Sequence, residues 1–76
     1  MTSNQAVCNR ITDLCQSQKI TYYTLAYRSA IPKSTLMNLF HGTNPTVSTI
    51  NKICSGFGIT MCEFFQADYF MICEDD

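Results

Sequence analysis

Apolar residues recur every three or four positions along nearly the whole chain, and this helical period is what most constrains its fold. Five amphipathic segments follow one another, each preceded by a threonine, serine or proline that can begin a helix. The apolar and polar alternation of a strand competes only at residues 69–73. A length of 76 residues allows one domain. The sequence therefore predicts a compact all-α domain of five short helices.

The first two predicted helices are delimited by their polar ends. Thr2 or Ser3 begins the first helix, and the polar residues 16–19 end it. Thr21 begins the second, which stops near Ser29. The inward stripe of the first helix consists of Val7, Ile11, Leu14 and Cys15.

The third predicted helix starts at Pro32, whose fixed φ suits a first turn, and Gly42 ends it. Its inward residues are Leu36, Leu39 and Phe40.

Thr46 and Gly58 bound the fourth helix, in which Gly56 costs about 1 kcal/mol of helix propensity. Its apolar stripe comprises Val47, Ile50, Ile53, Cys54 and Phe57. Thr60 and Glu63 form a capping box that begins the fifth helix, predicted to run to Gln66 or Ala67. For residues 68–76, the C-terminal tail, a helical extension, a strand and a frayed end all remain open.

Charge is distributed unevenly along the chain. Residues 1–58 hold all five basic residues and one acid, whereas residues 59–76 hold five acids and no base. A basic body can approach a polyanion despite the net charge of −1. No apolar run is long enough for a membrane span, and the start, MTSNQAV, lacks the basic and apolar regions of a signal peptide. We therefore expect a cytoplasmic protein that does not enter a membrane.

The five cysteines do not follow a disulfide or zinc pattern. Their number is odd, no CxxC occurs, and His41 is the single histidine. Because most of them fall on apolar helical positions, we expect buried free thiols and no metal site. No acid–base pair or activated nucleophile is apparent, so we do not expect an enzyme. We also expect no cofactor and no small-molecule ligand.

The segment that suggests a function is the second helix, the turn and the third helix, with the sequence ITYYTLAYRSAIPKSTLMNLFHG. It resembles the helix-turn-helix of the phage repressor and Cro family, also called the XRE family. The resemblance runs from about residue 11 to residue 65 and rests on Leu25-Ala26, Gly42, Pro45 and Gly58-Ile59 at the family's positions. It implies a repressor-like domain whose recognition helix, residues 32–41, lies in the major groove of double-stranded DNA.

The resemblance also implies residue roles. Lys33, Ser34 and Asn38 match base-contacting positions, and lysine and asparagine suit guanine and adenine edges respectively. Thr35 and Met37 complete the predicted base-contacting set, since a hydroxyl can reach a base edge and a thioether a thymine methyl. The predicted phosphate contacts are Tyr22, Tyr23, Thr43 and Asn44.

Five positions depart from the family. Ser29 stands at a commonly apolar position, and Tyr22 replaces a frequent Gln. Cys15 and Phe40 are apolar where the family often has an Arg and an acid, so we expect apolar packing instead of a buried ion pair. Ala30 stands where the family's turn usually has glycine. If the turn keeps a positive φ, Ala30 is strained.

The tail carries apolar surface beyond what a small body easily covers. We interpret residues 1–67 as the DNA-binding domain and residues 68–76 as a possible dimerisation element. The predicted dimer contacts are Phe65, Tyr69, Phe70 and Ile72. The alternative is that the tail folds back over the core of its own chain.

These observations favour a sequence-specific DNA-binding transcriptional regulator, a repressor acting as a homodimer. The alternative is a protein-interaction module on the same fold, either an adaptor or an antitoxin-like partner.

Overall fold

A computed structural model of the protein describes residues 1–74. Five α-helices and one 3₁₀ turn make up its regular structure, and within residues 1–74 no strand occurs. The elements are α1 Ser3–Gln18, α2 Tyr22–Arg28, α3 Lys33–Phe40, α4 Val47–Phe57, α5 Met61–Phe64 and the 3₁₀ turn Asp68–Met71. The predicted all-α, five-helix fold is thus confirmed. Among these residues, none of the helices combines the length and apolar character needed to cross a bilayer.

Threonine begins four of the helices. The hydroxyls of Thr2, Thr21, Thr46 and Thr60 each accept a hydrogen bond from the backbone N–H three residues later, at 3.1–3.2 Å. This bond satisfies one of the free N–H groups of the first turn. Capping boxes close at Thr2 and Thr60, and the second was predicted from Glu63. α3 differs, because Pro32 precedes it without a side-chain cap.

All five helices contribute to one core. Ile11, Leu25, Leu36, Ile53 and Phe64 come one from each helix, and all have 0% exposure. The helical period of the sequence therefore identified the inward stripes correctly. The exception is Val47, which is 69% exposed instead of buried. As the first residue of α4, it lies at the very end of its stripe.

The fifth helix is shorter than predicted. It ends at Phe64, not at Gln66 or Ala67. The Arg10 side chain donates from Nε to the Phe64 carbonyl at 2.6 Å and from Nη2 to the Glu63 carbonyl at 2.7 Å. These carbonyls are the acceptors that a further helical turn needs. The chain then turns back, and Phe70 packs against the core.

The described part of the tail, residues 68–74, folds back onto its own chain. Tyr69 donates its hydroxyl to Asp13 on α1 at 3.1 Å. The Glu74 N–H donates to the Met1 carbonyl at 2.8 Å, and the Met1 amine pairs with the Glu74 carboxylate at 2.7 Å. Up to residue 74 the tail adopts none of the three conformations left open by the sequence but a 3₁₀ turn docked on α1, in agreement with the alternative that it folds back over its own chain. Residues 75 and 76 lie outside the described residues.

Helices α2 and α4 cross closely at a glycine. A Cβ on Gly56 would lie 2.1 Å from Ser29 Oγ and 3.1 Å from the Ser29 backbone nitrogen. The Leu25 side chain also lies 3.2 Å from the same Cβ position. The poor helix propensity of Gly56 therefore has a packing reason, because only a hydrogen fits against α2 there.

Candidate nucleic-acid interface

The turn between α2 and α3 fixes the angle of the helix-turn-helix. Ala30 adopts φ 56°. Its N–H donates to the Tyr27 carbonyl at 3.2 Å, and the Ile31 N–H reaches back to the Ala26 carbonyl at 3.1 Å. This geometry ends α2 in a left-handed residue, which glycine adopts more easily. The positive φ inferred from the family's glycine is therefore present, and alanine bears its strain.

Helix α3 is divided into an inward and an outward face. Leu36 and Leu39 are buried in the core. Lys33, Ser34 and Asn38 are exposed. An eight-residue helix with this division presents the first, second and sixth of its side chains together on one surface.

The two remaining residues of the predicted base-contacting set are less accessible. Thr35 and Met37 are half-buried, and Met37 packs against the core. The structure therefore presents Lys33, Ser34 and Asn38 as the open part of α3.

Two adjacent tyrosines on α2 point in different directions. The Tyr22 hydroxyl lies 2.9 Å from the Thr12 hydroxyl, and its ring centroid lies 4.9 Å from that of Phe40. Tyr23 is 66% exposed, and its ring centroid lies 6.0 Å from the Lys33 ammonium. Tyr22 thus joins α2 to α1 and α3, whereas Tyr23 lies beside the exposed start of α3.

The loop after α3 is tied to the N-terminal end of α1. Thr43 and Asn44 are both exposed. The Thr43 N–H donates to the Asn38 carbonyl at 3.0 Å, and the amide of Asn4 donates to the carbonyls of Leu39 and Thr43 at 3.1 and 3.0 Å. The loop therefore has a fixed position next to the C-terminal end of α3.

The part of the chain that contains the helix-turn-helix is positively charged, because it has basic residues but no acids. Residues 14–62 contain no aspartate or glutamate but include four basic residues. These are Lys19, Arg28, Lys33 and Lys52, all exposed, and none forms an ion pair within residues 1–74. Uncompensated positive charge of this kind attracts a polyanion.

The residues predicted for dimerisation lie at the other end of the sequence and differ in exposure. Phe65 is 39% and Ile72 68% exposed, and their neighbour Met71 is 84% exposed. Phe70 is held more firmly, with its ring centroid 4.9 Å from Phe65 and 6.1 Å from Phe64. Tyr69 is half-buried and bonded to Asp13. The open apolar surface is therefore formed by Phe65, Met71 and Ile72.

The cysteines have free thiols in different environments. Cys15 and Cys54 are buried, Cys8 and Cys73 are half-buried, and Cys62 is exposed. Burial raises the pKa of Cys8, Cys15 and Cys54, so these three thiols stay protonated at neutral pH. Within residues 1–74, no three metal-ligating side chains come together.

Sequence reasoning missed the side chains of α1 that hold the interface in place. Asn4 fixes the loop, Arg10 ends α5, and the Gln18 amide donates to the Phe57 carbonyl at 2.9 Å, at the end of α4. Each is separated from its acceptor by at least 35 residues. No local pattern marks such a residue, because its partner is supplied by the tertiary fold.

Comparisons with known proteins agree with this geometry. The family model of the Cro/C1-type HTH DNA-binding domain matches residues 10–68. The chain is also similar to the protein in a solved structure described as the crystal structure of the prophage Lp1 protein 11. The two share 27% sequence identity with a TM-score of 0.83, over 92% of this chain and 96% of that one. No curated protein sequence gives a significant match. The structure contains a helix-turn-helix whose third helix is exposed on one face and contains no acid. Because the family model also matches most of the chain, the chain belongs to the Cro/C1-type helix-turn-helix DNA-binding domain family.

Proposed function

We propose that the protein binds double-stranded DNA sequence-specifically by placing α3 in the major groove, and that it acts as a small transcriptional repressor. The observation that carries this proposal is the exposed face of α3 with Lys33, Ser34 and Asn38, in a stretch without acids in its sequence and with no ion pair to Lys33 within residues 1–74. The major groove is wide enough to admit an α-helix, and each base pair has a distinct pattern of donors and acceptors there. A protein bound at an operator blocks access by polymerase, which is repression by occupancy.

Each exposed side chain suits a particular contact. Lys33 can donate to O6 and N7 of guanine, and Asn38 can pair with N6 and N7 of adenine. Ser34 can reach a base edge or a phosphate oxygen. Thr35 and Met37 are assigned secondary contacts, since both are half-buried.

Phosphate contacts on both flanks of α3 complete the proposed interface. Tyr22 and Tyr23 lie at the start of α2, and Thr43 and Asn44 lie in the loop after α3. Because Tyr22 already shares a hydrogen bond with Thr12, its hydroxyl can still donate to a phosphate only when Thr12 donates to it. Contacts of this kind position the protein on DNA without reading the sequence.

The proposal is tested by substitutions on α3. DNA selected from a random duplex pool supplies the site. Lys33→Ala and Asn38→Ala should each weaken binding to it by about 1–3 kcal/mol, measured by fluorescence polarisation. Lys52→Ala and Asn9→Ala are the matched controls, since they remove the same chemical groups from exposed positions on α4 and α1. Lys52→Ala should lose only the general attraction of one positive charge, and therefore weaken binding less than Lys33→Ala, and Asn9→Ala should leave the affinity unchanged. Unchanged affinity in both α3 variants contradicts the recognition-helix assignment.

If no duplex binds even at low salt, DNA binding itself is excluded as the activity. The hypothesis of an adaptor or antitoxin-like interaction module then takes its place. The exposed apolar surface of Phe65, Met71 and Ile72 is the feature that favours that hypothesis.

We further propose that the protein acts as a homodimer through Phe65, Tyr69, Phe70 and Ile72. One molecule measures 31 × 22 × 20 Å, so it covers one half-site, and two copies are needed to reach half-sites about 34 Å apart. Phe65 and Ile72 are open to a partner, and Tyr69 and Phe70 support them from beneath.

The mass in solution tests the dimer. The full chain should be dimeric at micromolar concentration and monomeric after deletion of residues 67–76. Ile72→Asp should give the same loss without shortening the chain, because Ile72 is 68% exposed and the substitution leaves the core intact. A monomeric full chain removes the dimer proposal.

A further inference from the structure

Lys33, at the start of the recognition helix, has its ammonium group close to the aromatic ring of Tyr23. The Lys33 ammonium lies 6.0 Å from the centroid of the Tyr23 ring. Lys33 is the first residue of α3 and Tyr23 the second of α2, so the first turns of both helices meet at this contact. Within residues 1–74, Lys33 has no acidic partner that could hold its side chain elsewhere.

The surroundings of this pair form a shallow apolar depression. Tyr23, Ala26, Tyr27, Ile31 and Lys33 line a cavity of about 170 Å³ between α2 and the start of α3. The lysine side chain therefore has an apolar surface beside its methylene stem and an aromatic ring beside its charge. Lysine side chains often bury the stem in this way while the ammonium stays in water.

We infer that Tyr23 is a positioning residue for Lys33. Its ring holds the ammonium at the α2 side of the recognition helix before DNA arrives, and Lys33 then reads its base pair with less loss of side-chain freedom. This inference rests on the proposed function, because it assigns to Lys33 a role in base readout. It gives Tyr23 a second role besides its proposed phosphate contact.

The physical basis is preorganisation. A free lysine side chain has many rotamers, and ordering such a side chain at an interface costs part of the binding free energy. An exposed cation–π contact has an energy similar in size to that cost. Because the contact favours the rotamers that lie over the ring, part of the ordering is complete in the free protein. Removing the ring should therefore weaken binding and broaden the choice of base at the pair that Lys33 reads.

The contact is tested first in the full-length protein without DNA. The ring current of Tyr23 should move the ε-methylene protons of Lys33 upfield in the NMR spectrum. Tyr23→Phe keeps the ring and should keep this displacement, whereas Tyr23→Leu should abolish it. Tyr27→Leu is the matched control, because Tyr27 lies one turn later on the same helix, lines the same cavity and has no cation over its ring within residues 1–74. Tyr23 is 66% exposed, so neither substitution disturbs the core.

The consequence is tested on the selected duplex in a double-mutant cycle. Tyr23→Leu should bind about two- to five-fold more weakly than Tyr23→Phe, and this difference should vanish in the Lys33→Ala background. The phenylalanine variant isolates the ring, since both variants lack the hydroxyl that is proposed to contact phosphate. The base pair that Lys33 reads is the one at which Lys33→Ala no longer distinguishes between bases. At that base pair, Tyr23→Leu should also distinguish less strongly between bases than the unmodified protein does.

Two results overturn the inference while leaving the proposed function intact. One is the absence of any ring-current displacement of Lys33 in the free protein. The other is equal DNA affinity of Tyr23→Leu and Tyr23→Phe when Lys33→Ala alone still weakens binding. Failure of the unmodified protein to bind any duplex is a different outcome, and it overturns the proposed function and the readout role together.

Discussion

At the residue scale, Ala30 is one of two non-glycine residues in the described part of the chain with a positive φ, the other being Lys19. The Ala30 φ of 56° lies in the left-handed region, which costs an L-residue with a side chain about 1–2 kcal/mol. The residue is exposed, so no packing of its methyl group offsets this cost. The turn keeps its form because the Ile31 N–H still reaches the Ala26 carbonyl and Ile31 packs against the core.

Replacing Ala30 with glycine should therefore stabilise the protein. We expect Ala30→Gly to raise the free energy of unfolding by about 0.5–1 kcal/mol, as relief of strain exceeds the extra entropy of an unfolded glycine. Urea denaturation measures this change. Ala67→Gly is the control, since Ala67 has φ −149° and no strain to relieve, so it should destabilise. A destabilised Ala30→Gly would show that the alanine is not strained.

The close contact of Ser29 and Gly56 is a second feature decided at the residue scale. Ser29 is 3% exposed, and its hydroxyl has no hydrogen-bond partner within the described residues. A buried hydroxyl without a partner is costly. It persists beside Gly56, where a larger side chain on either helix would force α2 and α4 apart. The sequence indicated both oddities, a polar residue at an apolar position and a glycine in a helix, but not that they touch.

At the scale of elements, α1 holds three of the other four helices by their C-terminal ends. The side chains of Asn4, Arg10 and Gln18 donate to backbone carbonyls at the ends of α3, α5 and α4. Carbonyls in the last turn of a helix lack partners within that helix, and the helix dipole makes them good acceptors. One long helix thereby fixes the ends of three short ones, which cannot be stable alone.

Arg10 offers the sharpest test of this arrangement. Arg10→Met keeps most of the apolar stem but removes two charge-assisted hydrogen bonds, so we expect a loss of about 2 kcal/mol in the free energy of unfolding. Arg28→Met on α2 is the matched control. Arg28 is exposed and has no ion pair within residues 1–74, so its change should stay near zero. Equal stability of the two variants in thermal denaturation contradicts the role given to Arg10.

At the scale of the whole molecule, the N-terminus meets Glu74, the last residue that the structure describes. The Met1 amine and the Glu74 carboxylate are 2.7 Å apart. Their hydrogen bond raises the pKa of the amine above its usual value and lowers the pKa of Glu74 below its usual value. Glu74 is thus held at the N-terminal end of α1, and residues 14–62, which include the helix-turn-helix, contain no acid in their sequence.

This pairing makes attachment of the tail dependent on pH. The amine contributes below its unfolded pKa of about 8, and its contribution is lost as the pH rises through the higher folded value. Glu74 contributes above its unfolded pKa of about 4.3, and its contribution is lost as the pH falls through the lower folded value. Hydrogen exchange of the Glu74 amide should therefore be slowest, relative to an unstructured peptide, between about pH 5 and pH 8. In Glu74→Gln this relative protection should no longer vary with pH, and a persisting dependence contradicts the pairing.

Local chemistry was sufficient to predict the helices and the outward face of α3. Threonine caps, glycine stops and the apolar period act over a few residues, so their effects can be read without knowing the fold. The same holds for the exposure of Lys33, Ser34 and Asn38, because Leu36 and Leu39 determine which side of α3 turns inward. Their roles in base readout remain a prediction.

The sequence by itself determined five helices, their inward stripes and an acid-free helix-turn-helix surface, because each follows from the spacing and chemistry of near neighbours. Only the tertiary structure decided where α5 ends, how the tail docks, why Gly56 is needed and which ring lies beside Lys33. Those features depend on contacts between residues far apart in the chain, such as Arg10 with Phe64 and Met1 with Glu74. Which distant groups meet is settled by burial of the shared core, and no local pattern encodes it.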